Sequence, residues 1–150
     1  LFCLVLQELK MKSMNNEQEF SFNWNEQERN HIIANNTGES RDFWRFKIKI
    51  DQLQQLVDKK FANPEDKQNN APTLGCLLEI GQLAHDTGQE VEFVGYAISA
   101  KRGDYRITID GINIWLEAKL SQELADKVLP LEETADEFIF DSDCITAWWD

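Results

Sequence analysis

The stretch "WRFKIKI", Trp44 to Ile50, leaves the chain little freedom in what it can become. Trp44, Phe46, Ile48 and Ile50 alternate with Arg45, Lys47 and Lys49, a period of two that puts an apolar row on one face of a strand and a basic row on the other. A strand of this kind needs neighbouring strands for its backbone and a second layer over its apolar row. The rest of the sequence should supply both.

Candidate strands are plentiful in the second half. "EVEFVGYAISA" (90–100), "DYRITID" (104–110) and "INIWLEA" (112–118) read as a three-stranded antiparallel meander. "KRG" makes the first turn, and Asp110-Gly111, among the strongest two-residue hairpin signals, makes the second. The tail segments "EFIF" and "CITAWW" flank the turn-prone "DSD" and predict one further hairpin. Near the start, Phe20, Phe22 and Trp24 of "EFSFNWN" alternate with polar residues and predict another half-buried strand.

Helices are announced by their caps. Asn25 stands three residues before Glu28, a capping-box spacing that predicts a short helix to about Ala34. Asp51 can cap a helix carrying Leu53, Leu56, Val57 and Phe61 on one stripe. Thr73 opens a more apolar helix, with Leu74, Leu77, Leu78, Ile80 and Leu83, that Gly88 ends. Ser121 caps a last helix to about Leu129, stopped by Pro130. "ANNTGES" (34–40) is turn chemistry, and "NPEDKQNNAP" (63–72) is a polar surface loop, not a linker, since neither flank could bury a core alone. The expectation is an α+β fold: a mostly antiparallel sheet with a three-stranded meander and three to four packed helices.

With 150 residues the chain suits one domain, which buries roughly 70% of its unfolded surface and needs no metal or disulfide to fold. Residues 14–150 are expected to form it. "LFCLVLQELKMKSM" has an apolar run too short for a signal peptide or a membrane span, so residues 1–13 read as a translated leader or an artefact of the chain's start. Cys3, Cys76 and Cys144 are odd in number and lack paired spacing, which favours free thiols and a cytoplasmic protein over a disulfide scaffold or zinc knuckle.

The chemistry-bearing motifs are sparse. His31 and His85 are the two histidines; Cys76 and His85 would fall on opposite faces of one helix, so they form no nucleophile pair. Glycine-rich phosphate loops and helical zinc motifs are missing from the sequence. Asp136, Glu137, Asp141 and Asp143 could gather weakly around a divalent ion, yet "DEFIFDSD" lacks the glycine and spacing of a calcium loop. Neither a metal nor a cofactor is expected. "RGD" at Arg102 to Asp104 reads as a polar hairpin turn, and Asn35-Asn36-Thr37 as an acceptor site without a secretory context.

Charge says more. The net charge is −12, and residues 131–150 hold seven acids and no base, leaving −5 for all the rest. Against that, residues 41–60 are net +3, with Arg45, Lys47 and Lys49 forming the basic face of the opening strand. Nucleic acid could use that face with Phe43 or Trp44 as a stacking platform, but the overall charge repels phosphate, so it is the less favoured partner. The acidic tail, with Asp136, Glu137, Asp141 and Asp143 among Trp148, Trp149 and other large apolar residues, reads as an interface: charge speeds encounter and aromatics anchor it. The expected function is a small acidic interaction module for a basic protein partner, of the kind an immunity protein or nucleic-acid-mimicking inhibitor would be. An accessory or structural subunit without catalytic activity is the alternative.

Overall fold

The computed structural model describes residues 19–33 and 42–150; the proposed leader, the 34–40 turn and the acceptor tripeptide lie outside them. The elements run α1 (Glu26–Ile33), β1 (Phe43–Ile48), α2 (Ile50–Asp58), α3 (Leu74–Asp86), β2 (Glu90–Ile98), β3 (Arg106–Trp115), α4 (Gln122–Val128), a 3-10 turn (Leu129–Glu133), β4 (Glu137–Phe140) and β5 (Cys144–Trp148). The five strands form one sheet in the order β1-β2-β3-β5-β4, antiparallel throughout. The fold is α+β, as the patterning predicts.

The sheet's apolar side is set by pairing register. Trp44, Phe46 and Ile48 stand opposite Ala97, Gly95 and Phe93, and the row continues through Ile107, Ile109, Ile112 and Ile114 to Ile145 and Ala147. These side chains, with Leu53, Leu56, Leu74, Leu77 and Leu124 from the helices, make one buried core. α3 lies tight against β2 at Gly81, where an added Cβ would lie 2.4 Å from Phe93 Cζ. Glycine costs helix propensity there, and the close approach is what it gives in return. Thr73 Oγ1 accepts from Cys76 N at 3.1 Å and Ser121 Oγ from Leu124 N at 3.1 Å, the expected caps, and Gly88 ends α3 with φ +91.

Four expectations need correction. First, Asp110-Gly111 is not a turn: β3 runs unbroken through both residues, so the region yields two long strands joined at 99–105 instead of three short ones. Gly111 stands opposite Val94 and Ile109 opposite Gly95, which leaves Asp110 as the extra residue of a β-bulge. Pairing on both sides, to β2 and to β5, outweighs the turn propensity.

Second, Phe20, Phe22 and Trp24 form no strand. Asn23 spends its backbone N–H on Lys60 O (2.9 Å) and its amide on Lys59 O (3.0 Å) at the end of α2, while the Phe22 and Trp24 rings collect around Tyr105. Trp24 stacks on Tyr105 at 4.4 Å and Phe22 meets it edge-on at 6.1 Å. Third, Ile50 begins α2 instead of continuing β1. Fourth, Lys49, not Asp51, is the N-cap, its N–H donating to Gln52 Oε1 at 2.7 Å.

Candidate functional site

The helices cover one side of the sheet, and register defines what the other side presents. One row there reads Lys47, Val94, Gly111, Trp148 and Glu137; the next reads Glu92, Asn113, Thr146 and Ile139; the third reads Glu90, Trp115 and Cys144. At the 99–105 end, loop 63–73 comes against this side, where the Tyr96 hydroxyl donates to Gln68 Oε1 at 2.7 Å. Towards β5 and β4 the side chains open to solvent: Trp115 is 39% and Ile139 40% exposed, and Trp148 is half-buried. Large apolar side chains are thus set among carboxylates on a sheet face that no described helix covers.

The basic half of this face is largely neutralised. Arg45 Nη2 lies 2.7 Å from Asp110 Oδ2, and Lys49 Nζ 2.7 Å from Glu90 Oε1. Lys47 projects into solvent between them along the strand. Trp44 is buried in the core and offers no platform, while the half-exposed Phe43 leans on Tyr96 at 4.9 Å. The groups that would greet a phosphate backbone are therefore partly spent inside the protein.

Asp110 is the unusual member. Its side chain is 4% exposed, Oδ2 accepts from Arg45, and Oδ1 has no hydrogen-bond partner among the described residues. Burial pushes its carboxyl above the usual aspartate range, with the Arg45 guanidinium pulling the other way. Directly after it, Gly111 leaves room for Trp148: an added Cβ would stand 3.3 Å from the indole Cδ1.

The acids of the tail divide into two kinds. Asp141 accepts from Asp143 N at 2.8 Å and Cys144 N at 2.9 Å, so it builds the turn between β4 and β5; the Cys144 and Asp143 amides hold its carboxyl below the usual range. Asp136 accepts from Asp150 N at 2.7 Å. Glu137 and Asp143 are exposed with no such duty among the described hydrogen bonds. The two tryptophans also part ways: Trp148 faces the open side, whereas Trp149 is 1% exposed, packed in the core with Nε1 donating to Thr134 Oγ1 at 3.1 Å. Of the two tryptophans, Trp148 is therefore the one accessible on the open face, and Trp149 holds the segment in place.

Comparison with protein-family models, with curated proteins and with solved structures yields no match.

Other candidate chemistry is dispersed. Among the described residues no three His, Cys, Asp or Glu side chains converge as a metal site, and no helix is long and apolar enough to cross a membrane. His31 and His85 are both exposed. Cys76 and Cys144 are free thiols whose pKa is raised first by desolvation, which suppresses the reactive thiolate. "RGD" is indeed in the turn, with Arg102 Nη2 2.8 Å and Arg106 Nη1 3.1 Å from Asp104 Oδ2.

Arg29 escapes sequence reasoning. It sits on α1 with its side chain fully buried, Nη1 donating to Ile98 O at 2.9 Å and its guanidinium 4.4 Å from the Tyr105 ring and 5.4 Å from that of Trp44. Desolvation lowers its pKa. An arginine among polar neighbours carries no local signal that it will be enclosed. The aromatic residues that enclose it lie distant in sequence.

Proposed function

We propose that this protein is a binding module for a basic protein partner, and that the contact is made by the β3, β5 and β4 part of the open sheet face. The observation that carries this reading is the coincidence there of Trp115, Trp148 and Ile139 with Glu137 and Asp143, beside Glu92 of the neighbouring β2, in a chain whose last twenty residues hold no Lys or Arg. Desolvated aromatics supply affinity at the centre of an interface, while rim charges set the encounter rate. A partner with a surface shaped to receive phosphates would fit, as for an immunity-type or nucleic-acid-mimicking inhibitor.

The test uses association kinetics with partners captured at low salt. Glu137→Gln with Asp143→Asn should slow association and flatten its salt dependence, with little change in dissociation; Trp115→Ala or Trp148→Ala should speed dissociation. Unchanged rates for all four substitutions would sink the proposal. Self-association without a second partner would instead support the structural-subunit reading.

A further inference from the structure

The open face ends at β4, and the outer edge of that strand, which no described strand pairs, says how a partner could bind. In a five-stranded open sheet two strands are edges, here β1 and β4. Asp141 N donates to Cys144 O at 3.1 Å, which makes 141 and 144 a bonded pair; with the observed register, the bonded positions of β4 facing β5 are then 137, 139 and 141. The backbone N–H and C=O groups of Phe138 and Phe140 consequently point away from β5, where no described strand meets them.

Edges left like this normally carry protection. Lysine, proline and inward charge are the usual devices against pairing with another chain. β1 has Arg45 and Lys47. β4, "EFIF", has neither lysine nor proline, and its Ile139 and Phe140 are 40% and 37% exposed. What it has is acid: Glu137 within it, Glu132, Glu133 and Asp136 before it, and Asp141 and Asp143 after it. This arrangement repels a second copy of the same strand, since like charges would face each other across the new pair. It favours an extended cationic one.

We infer that β4 accepts an extended, Lys- or Arg-bearing segment of the partner as a sixth strand of the sheet. The inference rests on the interaction reading above and names the chemistry of its partner. Main-chain bonds to Phe138 and Phe140 supply affinity and alternate side chains supply specificity. Side chains of the added strand next to Glu137 and Ile139 lie on the open face, where cations are favoured. Those next to Phe138 and Phe140 lie at the rim of the core, where apolar groups are favoured. The segment recognised should therefore alternate basic and apolar residues.

The experiment uses the full chain and a short peptide of alternating lysine and valine, followed by amide hydrogen exchange and resonance shifts at low salt. The expected result is that exchange at Phe138 and Phe140 slows by about tenfold or more, as it does for amides drawn into a ladder. Glu137 and Ile139, already bonded to β5, should change little. N-methylation on the set of peptide residues that faces β4 should abolish binding, while methylation of the other set should not. A peptide of alternating glutamate and valine should not bind. Binding that shifts Trp115 and Trp148 without protecting Phe138 and Phe140 overturns strand addition and leaves the acidic interface standing. Failure of the peptide to bind at all overturns strand addition too. The interaction reading falls separately, if captured partners are insensitive to Glu137→Gln with Asp143→Asn.

Discussion

The two edges of the sheet are built from similar material and treated in opposite ways. β1 alternates buried Trp44, Phe46 and Ile48 with Phe43, Arg45 and Lys47, and Arg45 is drawn back onto Asp110 of β3. β4 is four residues long, has no base, and is surrounded by carboxylates that the described ion pairs do not neutralise. At the first edge Arg45 is spent on holding the sheet together; at the second Glu137 and Asp143 are left in solvent. A charge that stabilises the fold and a charge that is available to a partner can thus be told apart by what lies within hydrogen-bonding distance, even where sequence composition treats them alike.

The contrast can be broken most forcefully at the tail's own anchor. Trp149→Ala should cost about 3 to 5 kcal/mol, as large-to-small core substitutions do, whereas Trp148→Ala on the open face should cost well under half of that. Denaturant melts of the two variants check this; equal losses would mean that the β4 side is as structural as the β1 side.

At the basic edge the two partners of one ion pair should behave unequally. Arg45→Ala leaves Asp110 buried and unpaired, and a loss of about 3 kcal/mol is expected. Asp110→Asn leaves Arg45 half in water, where it can be solvated, so its loss should be about 1 kcal/mol or less. Reversal of that order would show that the arginine, not the aspartate, is the desolvated partner.

The same aspartate has a pH signature. Its folded-state pKa is raised, so the stability tied to its neutral form is present in full below the unfolded value of about 3.9 and is lost as pH rises through the folded value. The stability of the native protein minus that of Asp110→Asn should therefore fall across that window. Thermal melts of both proteins in a pH series measure it, and a difference that rises would reverse the assigned sign.

The smallest expected effect on stability lies at the acidic edge. Glu137→Gln with Asp143→Asn should move it by no more than about 0.5 kcal/mol, as for other surface substitutions. A larger loss would mean that these carboxylates are bonded within the fold after all.

Much of the fold is legible in the sequence because its signals are local. The Thr73 and Ser121 caps, the Gly88 stop, the β4–β5 hairpin and the alternation of β1 each depend on residues a few positions apart. Asp110-Gly111 shows the limit of such reading. In "ITIDGINI" the buried isoleucines switch phase, from 107 and 109 to 112 and 114. A two-residue hairpin and a one-residue bulge both produce that switch, and only the strands on either side decide between them. Phe20, Phe22 and Trp24 fail for a related reason: alternation describes a strand, but backbone bonds to Lys59 and Lys60 and contacts with Tyr105 claim the segment first. In the candidate site, the acidic character of the tail is read directly, while the division of labour between Trp148 and Trp149, or between Asp141 and Asp143, comes from which way each side chain faces.

The bulge at Asp110 also bears on how the chain reaches this arrangement. β2 and β3 are joined by a short turn, so theirs is a low-separation pairing that can form early, on the microsecond scale of isolated hairpins. A uniform ladder of alternating residues could slide by two positions and still bury the same side. Here the phase switch removes that freedom: if β3 slips against β2, the extra residue no longer sits beside Val94 and Gly95, and one half of the isoleucine row loses its place. Any other alignment of the hairpin leaves part of that row without its place in the core, so the bulge at Asp110 favours a single β2–β3 register.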